Sequence, residues 1–319
     1  MKKLIIVLLM LVLTGCSKEV SAETFMEGLL KYNTNLESYY ANVSLEMTKG
    51  EELVKFDCEV YYLKDDYYKV IMLDNQTNNT QAIVKNQEGV FVLTPLLNKQ
   101  FKFTSDWPLN SSHAYLFQSL IQDISNDEDR TIIKEGNDFV VTSKYDCKTN
   151  ASLKTQKVTF SSEYRPLYCM VMNDANDTLI KATYNDFVEG YSLKPESFDT
   201  QTITTSLRLE MGEGNLYVDV NDVEPTYAPV DTTLETTTAS DDNVRYNYSG
   251  SYNYTIVCQE VMEDETLTTQ RIYDELLVLS CGIASLNDTT LTFYKGNVQV
   301  TIYFNDLELE EVVKIANSF

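Results

Sequence analysis

The stretch LVKFDCEVYY at residues 53–62 indicates which secondary structure dominates this chain. From Phe56 to Tyr62 an apolar side chain falls on every second residue, and mostly charged side chains stand between them. Because successive side chains of a β-strand point to opposite faces, this period of two predicts a strand with one buried and one solvated face. The stretch therefore predicts a sheet that is covered on one side.

Similar strand signals continue on both sides of this stretch. Turn residues such as Lys64-Asp65-Asp66 and Pro95 separate them in short connections, so an antiparallel meander is the simplest topology. The further predicted strands lie near residues 40–47, 67–73, 81–85, 89–94, 99–103, 130–134, 138–145, 155–160, 165–173 and 178–187.

Two amphipathic helices are predicted to cover this sheet. The first spans residues 22–37, and the second follows Ser111 or Ser112, either of which can cap it. A long sheet with one helix before it and another inserted midway predicts an α+β fold in which the twisted sheet wraps around the helices. The apolar faces of the helices consist of Phe25, Met26, Leu29, Leu30 and Leu36 in the first, and of Leu116, Phe117, Leu120, Ile121 and Ile124 in the second.

The pattern changes in the last third of the chain. Residues 207–244 contain Pro225, Pro229 and a run of threonines, and they predict a linker or an extended arm on the first domain. Strand signals and a final helical segment then predict a smaller C-terminal α+β unit. The predicted division is a signal peptide at 1–15, a lipidated tether at 16–22, a half-barrel domain at 23–206, the linker or arm at 207–244 and the small C-terminal domain at 245–319.

The first sixteen residues predict export from the cytoplasm. Lys2 and Lys3 precede an apolar run at residues 4–13, which is too short for a membrane-spanning helix and typical of a signal peptide. The following Leu13-Thr14-Gly15-Cys16 resembles a bacterial lipobox, in which the signal is cut before the cysteine and acyl chains are attached to it. We therefore expect Cys16 to anchor the protein on the extracytoplasmic face of the cell membrane. The alternative is a secreted protein with a chance cysteine at the cleavage site.

Composition excludes several classes of function. The chain has 319 residues and a formal net charge of −23, so nothing in its long-range electrostatics favours nucleic acid. Five cysteines follow Cys16 at wide spacings without any CxxC, and two interpretations stay open: buried apolar side chains, or one or two disulfides.

Residues for catalysis or metal binding are sparse. His113 is the only histidine, whereas a zinc site or a histidine-activated nucleophile normally draws on several such ligands. No GxGxxG, P-loop or HExxH sequence occurs. The acidic runs at 126–129 and 173–177 lack the spacing of a calcium loop and are interpreted as solvated turns. We expect no enzyme activity, no catalytic residues, no metal and no cofactor.

Several motifs resemble one protein family. GVFVLTP at 89–95 and SDWP at 105–108, with TQKV at 155–158, YTIVCQE at 254–260 and LEEVVKIA at 309–316, are similar to the LolA-like lipoproteins of Gram-positive bacteria, of the GerS and YdcC type. The resemblance covers most of the chain after the signal. It implies a curved antiparallel half-barrel with helices on its concave face, as in LolA, LolB and RseB. In the carrier proteins of this fold the groove takes the acyl chains of lipoproteins.

The resemblance leads to a list of groove candidates and to two functions. The main hypothesis is a membrane-anchored, non-enzymatic binding or regulatory protein of the cell envelope, in sporulation or germination, with an envelope protein as partner. The alternative is a carrier or sensor of acyl chains or lipoproteins that uses the groove. The same candidate side chains could instead form an ordinary filled core. They are Phe91, Leu93, Phe101, Phe103, Trp107, Leu116, Leu120 and Ile121.

Overall fold

The computed structural model describes residues 21–50, 52–108, 112–147, 150–211 and 217–319. The predicted signal peptide, Cys16 and Ser111 lie outside the described residues. Within the described ranges, two sheets organise the chain, one of twelve strands and one of seven.

The first sheet is formed mainly by the first two hundred residues. Its strands are β1 (Ser38–Lys49), β2 (Glu52–Leu63), β3 (Tyr67–Asp74), β4 (Thr80–Asn86), β5 (Gly89–Thr94), β6 (Lys99–Phe103), β7 (Thr131–Glu135), β8 (Asp138–Lys144), β9 (Thr155–Phe160), β10 (Pro166–Met172), β11 (Thr178–Glu189) and β15 (Thr268–Ile272). Their order is β15-β6-β5-β4-β3-β2-β1-β11-β10-β9-β8-β7. Two meanders of consecutive hairpins therefore meet where β1 pairs with β11.

The alternation at residues 53–62 is confirmed in β2. Its inward side chains, including Phe56, Cys58 and Val60, are buried, and the intervening residues are more exposed. Cys58 lies opposite Val43 of β1 and Met72 of β3, so the apolar positions of neighbouring strands fall on one face.

Two helices cover that face of the first sheet. Helix α1 (Ala22–Asn35) begins after Ser21, whose hydroxyl accepts a hydrogen bond from the Thr24 amide, and it stacks Phe25 on Phe139 of β8 at 4.0 Å. Helix α2 (Phe117–Asn126) begins later than predicted. Ser112 does not cap α2, because its hydroxyl accepts the Asp146 amide instead.

Both helices and both halves of the sheet contribute to one continuous core. The predicted α+β class, a curved half-barrel with helices on its concave face, is thereby confirmed.

A third helix, α3 (Thr200–Met211), covers the opposite face of β4 and β5. The apolar pattern did not predict it, because the helix is rich in threonine, a weak helix former, and buries only Ile203, Thr204 and Leu207. One signal was present in the sequence: Asp199 accepts the Thr202 amide, as an N-cap residue does.

The second sheet belongs to the C-terminal unit. Its strands are β12 (Thr232–Ser240), β13 (Asn243–Gly250), β14 (Tyr254–Glu260), β16 (Glu275–Leu279), β17 (Gly282–Leu286), β18 (Thr290–Lys295) and β19 (Val298–Phe304), in the order β12-β13-β14-β19-β18-β17-β16. Helix α4 (Leu309–Ala316) packs on this sheet around a separate core. The predicted smaller α+β unit is present.

Residues 207–244, for which the sequence predicted a linker or an extended arm, contain regular structure. Their described part holds the end of α3, a 3-10 turn at Val220–Asp222, the whole of β12 and the start of β13. The unit boundaries at 206 and 245 themselves stay a prediction.

The two units are joined by a strand that the sequence did not predict. β15 leaves the C-terminal unit and pairs in parallel with β6, the only parallel pair among the described strands. The Gln100 side-chain amide also donates to the Thr269 hydroxyl at 2.7 Å. No helix in the described part of the chain is long and apolar enough to cross a membrane.

Candidate functional site

A segment that we call the plug, residues 112–126, fills the concave face of the first sheet. It consists of the loop that leads into α2 and of α2 itself. Leu116, Phe117, Leu120 and Ile121 are all buried in the core that the sheet and α1 share. The groove that the family resemblance implies is therefore occupied by the side chains of this chain.

Tyrosines on the sheet hold the plug through its polar groups. Tyr145 donates to the Ser112 carbonyl and Tyr184 to the Ala114 carbonyl, each at 3.1 Å. Tyr39 donates to the Gln118 side-chain carbonyl at 3.0 Å. Because the loop of the plug is not regular structure, its buried carbonyls need such partners.

Six of the eight predicted groove residues share the core that contains the plug: Phe101, Phe103, Trp107, Leu116, Leu120 and Ile121. Phe91 and Leu93 are not among them. They lie on the other face of β5, against Ile203 and Leu207 of α3. β5 is buried on both faces, so its run of apolar residues cannot show which side chains point toward the plug.

Trp107 lies beside the start of the plug and is completely buried. Its ring packs edge-on against Tyr68 at 5.8 Å and lies 6.0 Å from the ring of His113. The indole Nε1 has no hydrogen-bond partner among the described residues. The ring is thus a packing element of the concave face, and its polar atom stays unsatisfied there.

A polar network connects the plug to the sheet. The Gln156 side-chain amide donates to Asp123 Oδ2 at 3.0 Å and to the Ser143 hydroxyl at 3.2 Å, and the Cys169 thiol donates to Gln156 Oε1 at 3.7 Å. Sequence reasoning missed Asp123, although its position between Leu120 and Ile124 on the buried side of α2 was a usable signal.

The environment of Asp123 changes its titration. Burial raises the pKa of Asp123 to about 7 and the nearby Asp146 adds to that increase, whereas hydrogen bonds from Ser112 and Gln156 oppose it. The plug therefore contains a carboxyl group that is partly protonated near neutral pH.

His113, the single histidine of the chain, is buried in the loop of the plug. Burial lowers the pKa of His113 to about 3, so its ring is neutral at physiological pH. Its Nδ1 lies 3.5 Å from the Tyr115 hydroxyl. In the described parts of the chain no three or more His, Cys, Asp or Glu side chains are grouped to hold a metal ion. Cys58, Cys169 and Cys258 are buried thiols, which confirms the prediction of apolar packing for these three.

One apolar pocket lies between the two units, and we call it the interunit pocket. Its volume is about 110 Å³. The end of β1, the start of the plug and β11 form one side, and β16 and α4 form the other. The apolar part of its lining includes Leu45, Met47, Leu153, Ile180, Leu277 and Val313.

The fold and the plug define the class: this is an α+β protein with a curved antiparallel sheet, helices on its concave face and a second, smaller unit. One relative is the sporulation protein YdcC of Bacillus subtilis strain 168, which is 28% identical over 317 residues, or 98% of this chain and 94% of YdcC. The resemblance inferred from the GVFVLTP and SDWP motifs is confirmed by this relative. No family model matches the chain.

Similar solved structures include the complex of Pseudomonas aeruginosa MucA and MucB, with a TM-score of 0.36 and 11% identity over 92% of this chain and 96% of the other. A LolA superfamily protein from Nitrosomonas europaea has a TM-score of 0.33 and 10% identity over 58% and 100%. The Clostridioides difficile CwlD amidase in complex with the GerS lipoprotein has a TM-score of 0.29 and 12% identity over 56% and 98%.

Proposed function

We propose that the chain is a lipid-anchored protein on the extracytoplasmic face of the cell membrane that acts in sporulation or germination by binding a protein partner, without catalysis. The likeness to the sporulation protein YdcC supports the process, since it extends over 98% of the chain. The absence, among the described residues, of a cluster of three or more His, Cys, Asp or Glu side chains that could hold a metal ion fits a role without metal-dependent catalysis.

The filled concave face is the observation that carries this proposal. Leu116 and Leu120 of the plug, with the neighbouring Trp107, are buried in the core of the concave face, where an acyl chain in the groove would lie. The space between the plug and the sheet is therefore filled by the chain's own side chains, which favours recognition at an outer surface over uptake of a ligand at the concave face.

The free edge of the second sheet fits that role. β12 is its outermost strand, and every residue after Thr232 is exposed. Its sequence TTLETTTAS contains no proline or lysine, the residues that commonly block edge pairing, and Leu234 is 48% exposed. An extended segment of a partner can add to such an edge by main-chain hydrogen bonds.

Site-specific photo-cross-linking in sporulating cells tests this surface. A photoreactive residue at Thr237 of β12 is expected to capture one protein, and the same residue at Ile133, which is 57% exposed on the edge strand β7 of the first sheet, is the matched control. Thr237→Lys should abolish both capture and sporulation function. Equal capture at both positions, or full function of the Thr237→Lys variant, would contradict the proposed surface.

The anchor is tested separately. Metabolic labelling with an alkyne analogue of palmitate should label the wild type and the Cys281→Ala control but not Cys16→Ala, because Cys16 is the residue that the lipobox exposes. Undiminished labelling of Cys16→Ala would exclude anchorage at this residue and leave the partner surface untouched.

A second candidate, the acyl-chain carrier or sensor, is favoured by the polar groups where the plug packs on the sheet. We call the packing contacts of a helix on its sheet the seat of that helix. The partly buried Asp123, whose pKa burial raises to about 7, makes this seat less stable at and above neutral pH than a wholly apolar one, so the plug can leave the groove to a ligand. Native mass spectrometry of residues 17–319 after contact with a membrane extract tests it. A lipid-mass adduct that is lost in a folded Leu116→Glu variant supports the carrier, and a clean unliganded mass contradicts it.

A further inference from the structure

The interunit pocket is lined by three side chains whose polar atoms have no hydrogen-bond partner in the described part of the chain. They are His113 Nε2, Ser280 Oγ and Asn317 Oδ1. His113 and Ser280 are each only 6% exposed. Buried polar atoms are paired in the large majority of cases in folded proteins, so three unpaired ones around one pocket point to a partner that the chain itself does not supply.

These three atoms come from both units of the molecule. His113 lies in the plug, Ser280 follows β16 and Asn317 follows α4. Because β16 and α4 belong to the C-terminal unit, a group held by all three would contact both units at once. Binding in the pocket would therefore link the two units.

The rest of the lining limits the charge of that group. Among the described lining residues Glu275 is the only carboxyl side chain, no Lys or Arg is present, and most of the others are apolar. The buried ring of His113 is neutral. An anion would lose its hydration without an opposite charge to compensate, and Glu275 is already engaged in another interaction, so the lining favours a neutral group.

Volume and hydrogen-bonding capacity limit the group further. An engineered apolar cavity of about 150 Å³ binds benzene, and the interunit pocket, at about 110 Å³, is of the same order. Asn317 Oδ1 can only accept a hydrogen bond, while a serine hydroxyl both donates and accepts. A hydroxyl on the bound group can therefore donate to Asn317 and accept from Ser280.

We propose that the interunit pocket is a binding site for a neutral, ring-sized group that carries a hydroxyl, of the chemical class of a phenol. The source of the group is a free small molecule or the side chain of a tyrosine in another protein. Ser280 and Asn317 also line a larger cleft next to the pocket, of about 990 Å³, which leaves room for a chain that carries such a side chain. This site does not depend on the proposed partner surface at β12.

Fluorine NMR of the full mature chain tests the proposal with three probes. 4-Fluorophenol is expected to broaden and shift on binding, fluorobenzene to bind about tenfold more weakly because it leaves the three polar atoms unpaired, and 4-fluorobenzoate not to bind. Ser280→Ala and His113→Phe should each weaken 4-fluorophenol several-fold, and Ser285→Ala, in the neighbouring strand β17 outside the pocket, should not.

Adding N-acetyl-tyrosinamide distinguishes the sources. Competition with 4-fluorophenol assigns the site to a tyrosine side chain, and its failure beside good phenol binding assigns it to a small molecule. The proposal is overturned if 4-fluorophenol does not bind, or if it binds no better than fluorobenzene and is insensitive to Ser280→Ala, since the polar atoms of the pocket then recognise no hydroxyl. Neither result depends on cross-linking at Thr237, so the two proposals fail independently.

Discussion

The plug on the first sheet and α4 on the second solve the same packing problem in different ways. Helix α4 buries Val312, Val313, Ile315 and Ala316 in an apolar core and keeps its charged residues outside, where Lys314 pairs with Glu310 and Glu311. The plug places Asp123 against the sheet, and His113 Nε2 has no hydrogen-bond partner among the described residues.

The difference shows which helix is built to respond to its surroundings. Apolar burial is insensitive to pH, whereas a buried carboxyl group makes the stability of its seat depend on protonation. We expect α4 to behave as a fixed part of its unit and the plug to be the conditional part of the molecule.

The largest expected effect comes from shortening one buried side chain in each helix. Leu120→Ala in the plug and Ile315→Ala in α4 each remove a fully buried side chain and should destabilise by about 2–5 kcal/mol. Hydrogen exchange should show loss of protection centred on residues 112–126 in the first variant and on residues 309–316 in the second. Equal loss over both segments in either variant would mean that the two seats are not independent.

A change at Asp123 sharpens the contrast in pH dependence. The pKa is raised from about 3.9 in an unfolded chain to about 7 in the fold. Between these two values the folded state binds more protons than the unfolded chain. The contribution of Asp123 to the free energy of unfolding is therefore greatest below about pH 4 and is lost as the pH rises to 7. Asp123→Asn should remove this slope and stabilise the protein at pH 8, by on the order of 1–3 kcal/mol.

Urea unfolding followed by the fluorescence of Trp107, the single tryptophan, measures this effect because the ring lies beside the plug. Glu310→Gln on the exposed face of α4 is the control and should keep the slope of the wild type. If Asp123→Asn also keeps it, the carboxyl group does not set the pH dependence of the seat.

The smallest expected effect concerns two matched tyrosines. Tyr184 donates to the Ala114 carbonyl of the plug, and Tyr246 donates to the Val223 carbonyl in the second unit, both buried and both at 3.1 Å. Replacement by Phe leaves a buried carbonyl unpaired and should destabilise by about 1–2 kcal/mol at each site. Only Tyr184→Phe should shift the Trp107 fluorescence transition; a shift of similar size with Tyr246→Phe would show that the units unfold as one.

The elements that sequence patterns predicted are those whose two faces differ. β2 alternates between buried and exposed residues, and this period of two predicts a strand. α4 has apolar residues three and four positions apart, and this spacing predicts a helix. β5 is buried on both faces, so Phe91 and Leu93 could not be assigned to a side. β12 is exposed on both faces, and its threonine run left a linker and an extended arm as alternatives, although threonine is common in strands.

The candidate site was predictable only in its apolar part. The motifs and the helical spacing singled out eight apolar residues, and six of them lie in the core around the plug. The polar network was not predictable, since Asp123 and Gln156 are 33 positions apart and only the closed sheet brings them together. The interunit pocket requires the position of both units, which no local pattern contains.

The parallel strand β15 has a consequence for how the chain is made. Its contacts with β6 join residues 169 positions apart, so β6 stays an open edge while everything between them is being synthesised. An exposed edge of this kind can pair with other chains until it is covered. The edge of the N-terminal half-barrel is therefore covered only when β15 of the C-terminal unit has been made. A chain that ends before residue 268 would keep every hairpin of the half-barrel, yet its exposed β6 edge would promote aggregation.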